Sequence, residues 1–281
     1  MSKLTSTARL LAGSTAILAA AVLVAGAAAQ TPPSPPDFSS NQTAWQTGNG
    51  GDFIPVPGSP GPILSDPAHP YINNAIARRT GQQPNYRIGD ITNPNLKQWA
   101  KDVMKKDNDE VLAGKIAYTP GQSCKPWGVP ALMLSGGPFY FLQTPKMVWM
   151  IEGGDRLARR IHMNVPHSAN VKPSWYGESV GRYEGGTLVV DTIGMNAKTF
   201  VDAYRTPHSE KLHVVERWKI VDEGKTLEVH MTIEDTDTFN QPWQAIRRFE
   251  RAQETLGEEI CPEGNFMLFD YGIPVADKPD F

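Results

Sequence analysis

The stretch His213-Val-Val-Glu-Arg-Trp-Lys-Ile-Val221, a break at Glu223-Gly224, and Thr226-Leu-Glu-Val-His-Met-Thr-Ile-Glu-Asp235 decides the fold. Apolar and polar residues alternate on both sides of the break, and β-branched residues are frequent, which is the pattern of two half-buried antiparallel strands. The same pattern recurs in residues 139–143, 147–152, 157–163, 180–184, 187–192 and 243–251. Short connections rich in Gly, Pro or Asn separate most of these segments: Thr144-Pro145, Gly153-Gly154, Gly185-Gly186 and Asn240-Gln241-Pro242. Eight sequential antiparallel strands predict a mainly β, up-and-down barrel, because closure removes the unpaired edges. A two-sheet sandwich is the alternative. No internal repeat suggests a propeller or solenoid.

Outward from this block, Asn93-Pro94 reads as a cap and first turn, followed by Leu96, Trp99, Ala100 and Val103 at helical spacing and Gly114 as a stop. This predicts one long helix packed on, or plugging, the barrel. Residues 30–92 read as an extended arm, dense in Pro, Gly and Ser as far as about residue 70. Residues 1–29 read as a signal peptide: Lys3 and Arg9 precede an apolar, alanine-rich stretch ending in Ala27-Ala28-Ala29. The expected domains are therefore a leader (1–29), an arm (30–92) and a helix-plus-barrel unit (93–281). The expected location is periplasmic or secreted, with no stable membrane insertion after cleavage.

Hydrophobic residues at 40%, charged residues at 20% and a net charge of -3 describe a globular chain without the basic excess of a nucleic-acid binder. The two cysteines, Cys124 and Cys261, bracket the strand block, and in an oxidising compartment they predict a disulfide. Loop-closure entropy would make such a bridge worth about 4–5 kcal/mol. A thiol metal site is the rival reading, although neither cysteine has a Cys or His beside it at ligand spacing.

Alternation places Glu216 on one face with Val214, Trp218 and Ile220, and Arg247 with Trp243, Ala245 and Phe249. A buried Glu216–Arg247 ion pair is the structural reading; a carboxylate tuned by its apolar site is the functional one. Asp191 shares a face with Val189 opposite Leu188 and Val190, so it is either an inward acid or a turn residue. Five of six histidines fall between His162 and His230, and two occupy matching triplets, Pro166-His167-Ser168 and Pro207-His208-Ser209, in the longer connections. An imidazole titrates near neutrality, so His167 and His208 join Glu216 and Asp191 as candidate catalytic residues. Each His could equally cap its own loop. Trp175, Tyr176, Trp218, Trp243 and Arg247 are the candidate substrate-binding residues, suited to a small organic, aromatic molecule.

His162, His167, His208, His213 and Glu216 form no tight metal-ligand motif, and no metal is expected. No nucleotide, flavin or haem motif is present, so no organic cofactor is implied. Gly177-Glu178-Ser179-Val180-Gly181 spells a nucleophile-elbow pattern, but a strand follows where that elbow needs a helix.

The stretch from Pro173 through Trp175-Tyr176-Gly177 and Leu188-Val189-Val190-Asp191-Thr192, with Pro207-His208-Ser209 and Val215-Glu216-Arg217 after it, resembles a group of exported bacterial proteins that mostly carry no assigned function. Leu112-Ala113-Gly114 and the Cys124 to Gly128-Val129-Pro130 segment extend the likeness over most of the expected mature chain. That group's pattern has tryptophan and aspartate where this chain has Tyr183 and Gly186. The resemblance implies a lipocalin-like barrel and assigns no catalytic residue. Two readings of function follow: an exported enzyme using His and carboxylate acid–base chemistry in the barrel mouth, as a lyase, isomerase or hydrolase, or an exported carrier of a hydrophobic or aromatic ligand.

Overall fold

In a computed structural model, the described residues are 35–39, 43–47, 51–153, 158–253 and 256–257. The expected leader and Cys261 lie outside them. The fold is mainly β. Strand β1 (Thr43–Gln46) and the two-residue β2 (Ile54–Pro55) precede two helices, α1 (Asn74–Thr80) and α2 (Gln98–Leu112). Eight strands follow: β3 (Phe139–Gln143), β4 (Met147–Glu152), β5 (Ala158–Met163), β6 (Glu178–Glu184), β7 (Thr187–Ile193), β8 (His213–Val221), β9 (Thr226–Glu234) and β10 (Trp243–Gln253). They run β1-β3-β4-β5-β6-β7-β8-β9-β10, and β10 pairs back onto β1, closing a nine-stranded barrel.

Two features depart from an eight-stranded antiparallel barrel. The ninth strand, β1, comes from the arm: it pairs with β10 from Thr43↔Gln253 to Gln46↔Glu250 and touches β3 at Trp45↔Phe139. β1 is too short for alternation to announce it. Trp45 is nonetheless buried, donates its indole N–H to the Phe38 carbonyl at 2.8 Å, and carries the Arg251 guanidinium 4.3 Å above its ring. The second departure is that β5 and β6 pair in parallel, from Ile161↔Ser179 to Met163↔Gly181. A parallel pair needs a connection that returns along the barrel, and residues 164–177 make it. Asn164 starts the return at φ 58° while donating its N–H to the Gly181 carbonyl at 2.7 Å.

Alternation sets the inner wall. Leu188, Val190 and Thr192 of β7, Val214, Glu216 and Trp218 of β8, and Leu227, Val229, Met231 and Ile233 of β9 are all buried, as are the inward residues of β10. Aromatic side chains fill the centre: Trp218 stacks on Phe249 at 6.1 Å, and Phe139 meets Phe249 edge-on at 5.3 Å.

The barrel end formed by Ile193, His213 and Trp243 lies under a roof built from residues 85–135 and the β7–β8 connection, 194–212. Leu96 bridges Phe239, Arg247 donates to the Met133 carbonyl at 3.1 Å, and Leu132, Met133, Val201 and Tyr204 join the common core. α2 belongs to this roof and starts at Gln98, later than Asn93-Pro94 predicts. Asn93 is spent before the helix begins, its Oδ1 accepting the Asn95 N–H at 2.8 Å and its amide donating to the Pro60 carbonyl at 3.1 Å, and Asn95 in turn donates to the Gln241 carbonyl at 3.0 Å and accepts the Gln241 N–H at 2.9 Å. α2 buries Ala100 and Met104, while Trp99 and Val103, expected on its packed face, are each 39% exposed. α1, unforeseen inside the arm, is capped by Asn73, which accepts the Ile76 N–H at 2.8 Å, and stops at Gly81 with φ 73°.

Candidate functional site

The residues singled out in the sequence fall into three separate neighbourhoods. The first is sealed inside the barrel. Glu216 is fully buried and pairs with Arg159 of β5 instead of Arg247: Arg159 Nη1 donates to Oε1 at 2.9 Å and Nη2 to Oε2. Arg159 also reaches Thr192 Oγ1 at 2.8 Å and Ser179 Oγ at 3.2 Å, and those two hydroxyls bond each other at 2.9 Å. Every polar atom of this layer is used internally, so it holds β5 to β6, β7 and β8 and presents nothing to a ligand. Ser179 lies inside β6 as part of this layer, so the elbow-like pattern around it has no elbow.

Arg247 does not meet Glu216 because register sets Glu216 level with Met231 and Ala245, and Arg247 one inward row further along, level with Val229 and Trp218. Its Nε donates to Met133 O at 3.1 Å and its Nη1 approaches Asp52 O at 3.4 Å, while Nη2 is buried with no partner. Trp218 and Trp243, expected to line a ligand site, are 1% exposed core residues whose indole N–H groups have no acceptor.

The second neighbourhood is on the outer wall. Because Val190 and Thr192 face inward, Asp191 faces out, where the β5–β6 crossover passes over it. His167 on that crossover stands between two carboxylates, Nδ1 at 3.0 Å from Glu178 Oε1 and Nε2 at 2.9 Å from Asp191 Oδ1. His213 Nε2 meets the same Asp191 oxygen at 3.0 Å. Both ring nitrogens of His167 are thus taken up by protein carboxylates, and neither is open to a ligand. His167 therefore clamps the crossover to the barrel. Trp175 and Tyr176, further along the crossover, are half-buried, and Tyr176 packs on the core.

The matching triplets share one device and differ in another. In each, the serine donates both its N–H and its hydroxyl to one carboxylate: Ser168 to Glu178 at 2.7 and 2.5 Å, Ser209 to Asp235 at 2.6 and 2.8 Å. The Ser168 hydroxyl is the main force holding the Glu178 carboxyl below its ordinary range. The histidines diverge. His208 is buried under the roof, with Nδ1 donating to Ser209 O at 2.8 Å and Nε2 facing Thr199 Oγ1 at 2.7 Å. A carbonyl only accepts, so Nδ1 carries the proton and Nε2 accepts from the Thr199 hydroxyl. Burial lowers its pKa. Gly128, at φ 77°, lets the roof backbone pass so close that a Cβ there would strike Thr199. Among the described residues, no three of His, Cys, Asp and Glu are arranged to hold a metal ion.

The third neighbourhood contains none of the residues singled out in the sequence. A cleft of about 560 Å³ opens in the roof between the segment around α1, the stretch from Ala117 to Leu134, and the β7–β8 connection. Tyr71, Trp127, Phe200 and Leu134 supply apolar surface; Asp202 and Arg205 supply charge. Asp202 is buried, accepts Tyr204 N–H at 2.8 Å and the Thr206 hydroxyl at 2.7 Å, and burial, with Asp52 nearby, pushes its pKa up to about 6 despite those bonds. Arg205 is buried at φ 60°, a strained backbone for a side chain of its size. Behind it, Asp52 joins Arg87 Nε at 2.9 Å and the Tyr204 hydroxyl at 2.7 Å, and Arg87 lies 3.9 Å over the Tyr71 ring.

Compared with known proteins, the chain matches no family model, no curated protein and no solved structure. The site is therefore argued from its own chemistry. The cleft combines aromatic walls, a carboxyl whose pKa burial raises to about 6 and an adjacent guanidinium, the ingredients of a small-molecule site with an acid–base group. The sequence carries one faint signal for it: Asp202-Ala-Tyr-Arg205-Thr206 packs two charges and a ring into a loop too long for a hairpin turn.

Proposed function

We propose that this protein is an exported small-molecule enzyme whose substrate occupies the roof cleft, with Asp202 as the group that exchanges a proton. The reading keeps the acid–base chemistry expected from the sequence and moves it from the barrel wall to the roof. The observation that carries it is the cleft itself, in which Asp202 and Arg205 stand beside the ring surfaces of Tyr71, Trp127 and Phe200. His167, Asp191 and Glu216 serve in this account as fasteners that hold the wall and crossover on which the roof rests. One such carboxyl can serve as the general acid or base in lyase, isomerase or hydrolase chemistry.

A second reading, a lipocalin-like carrier, draws support from the three hydrogen bonds that Asp202 accepts from Tyr204 and Thr206 of its own loop. The ligand of such a carrier would sit in the roof, because Trp218, Phe249 and Phe139 occupy the barrel centre.

Incubating the purified protein with a mixture of small aromatic and hydroxylated organic compounds, followed by mass spectrometry, separates the readings. Conversion by the native protein and its loss in Asp202→Asn supports the enzyme. Depletion of a compound without a product supports the carrier. Conversion that survives Asp202→Asn and is lost on replacing His167 would return the chemistry to the outer wall.

A further inference from the structure

Arg205 has fewer protein partners than its burial requires. Its side chain is 4% exposed, and its nearest carboxylate, Asp107 Oδ2, is 3.5 Å from Nε, too long for a good hydrogen bond. Nη2 donates to the Arg87 carbonyl at 3.2 Å, and Nε is buried without a hydrogen bond. Among the described residues Nη1 makes no hydrogen bond, and unlike Nε it is not a sealed, unpartnered atom. A largely buried guanidinium held this loosely is costly unless an anion completes it. The left-handed backbone at Arg205, φ 60°, adds to that cost.

The surrounding charges point the same way. Three arginines, Arg87, Arg205 and Arg247, crowd the roof, facing the carboxyls of Asp52, Asp107 and Asp202. Asp52 is engaged by Arg87 and the Tyr204 hydroxyl, and offers Arg247 only its backbone carbonyl. Lys106 and Glu110 flank Asp107 with opposite signs and offset each other. When Asp202 holds its proton, the arginines outnumber the ionised carboxylates. Arg87 takes Asp52, and Arg205 has Asp107 at a distance too long for a good hydrogen bond, so among the described residues the guanidinium that lines the cleft is the loosely paired one, beside a wall of rings.

We propose that the roof cleft takes a ring-bearing carboxylate, its acid group on Nη1 of Arg205 and its ring against Tyr71, Trp127 and Phe200. This rests on the cleft being the ligand site and names the class of molecule it admits. A guanidinium prefers a carboxylate to a neutral amide of the same shape, and the flat aromatic wall prefers a ring to an open chain. Binding is linked to the proton on Asp202: a second anion beside that carboxyl favours its protonated form, so by reciprocity the protonated form favours the anion. Affinity therefore rises as pH falls, reported by Asp202 with Asp52, Asp107, Arg87, Arg205 and Tyr204 around it.

The probes are naphthoate and naphthamide, which share a ring system and shape and differ in charge, titrated into the full folded protein by calorimetry. Naphthoate is expected to bind at least about tenfold tighter than naphthamide, the size of one charge-assisted hydrogen bond. Arg205→Gln should bring naphthoate down to the level of the amide. Asp202→Asn, a mimic of the protonated carboxyl, should hold naphthoate equally well at pH about 5.5 and about 7.5, whereas the native protein weakens over that interval. Ala203→Trp, which fills the cleft without touching a charge, should abolish both probes. Equal binding of acid and amide, lost in Ala203→Trp, overturns the carboxylate class and leaves the cleft as a site. Binding of either probe that Ala203→Trp leaves intact, or no binding of either, overturns the cleft itself. The acid-to-amide comparison needs only the native protein, so it decides the question even if Arg205→Gln fails to fold.

Discussion

At the level of single residues, burial decides what each titratable group can do. Glu216 and Arg159 are both sealed, so removing one partner leaves an uncompensated charge in the barrel. Glu216→Gln or Arg159→Met should each cost about 3–5 kcal/mol in urea unfolding, and the double change to Met and Leu should recover most of it. Full stability in Glu216→Gln would mean the pair is not sealed. Asp202 shows the opposite arrangement, a carboxyl with too little compensation. Its pKa rises from 3.8 to about 6 on folding, so the folded state holds its proton where the unfolded chain has released it. Stability due to this group is therefore full below about pH 4 and falls by about 3 kcal/mol as pH rises to about 6, then levels. Asp202→Asn should remove that fall, which denaturation midpoints across the interval would report. His208 runs the other way: burial lowers its pKa, so its contribution is present above the ordinary imidazole value and is lost as pH falls. In NMR titration its ring should stay neutral below about pH 6.5.

Among the secondary-structure elements, β1 and the β5–β6 crossover are fastened by few contacts and carry large consequences. Trp45→Ala removes a buried ring from the strand that closes the barrel and should cost about 3–5 kcal/mol. A cost near zero would show that the barrel closes without β1. The crossover depends on surface clamps: Glu178 and Asp191 hold His167 at 3.0 and 2.9 Å with partly exposed side chains. His167→Ala should change global stability by less than about 1 kcal/mol, because exposed ion pairs contribute little. It should still speed hydrogen exchange in residues 164–177, and unchanged exchange there would remove the clamp from the account. The strands themselves were readable: residues 139–143, 147–152 and 213–221 were expected, and β3, β4 and β8 have those bounds. Period-two alternation survives tertiary folding because it is imposed by the strand's own geometry. The start of α2 was not readable, because the Asn93 side-chain oxygen turns the chain at Asn95 while the two side-chain amides bond the distant backbone of Pro60 and Gln241.

For the molecule as a whole, the sequence predicts export and, with it, a disulfide between Cys124 and Cys261 across the strand block. Intact-mass measurement of the exported, non-reduced protein should give the chain two hydrogens lighter than its reduced form; two thiols titratable in the native protein would overturn the bridge. Several facts about the chain were fixed by local chemistry alone. Alternation made it a β protein, placed Glu216, Trp218, Trp243 and Arg247 on the inner wall, and named most strand limits, since each of these depends only on neighbours in the chain. Tertiary structure decided the rest. It set Arg159 against Glu216, turned His167 into a clamp, buried His208, drew a ninth strand from the arm and raised a roof whose cleft brings Tyr71, Trp127 and Arg205 together. Those pairings join residues tens of positions apart, and no local period records which of several arginines a buried carboxylate will meet. Closure chose the partners, because each buried charge and open edge had to be matched by whatever the fold brought alongside it.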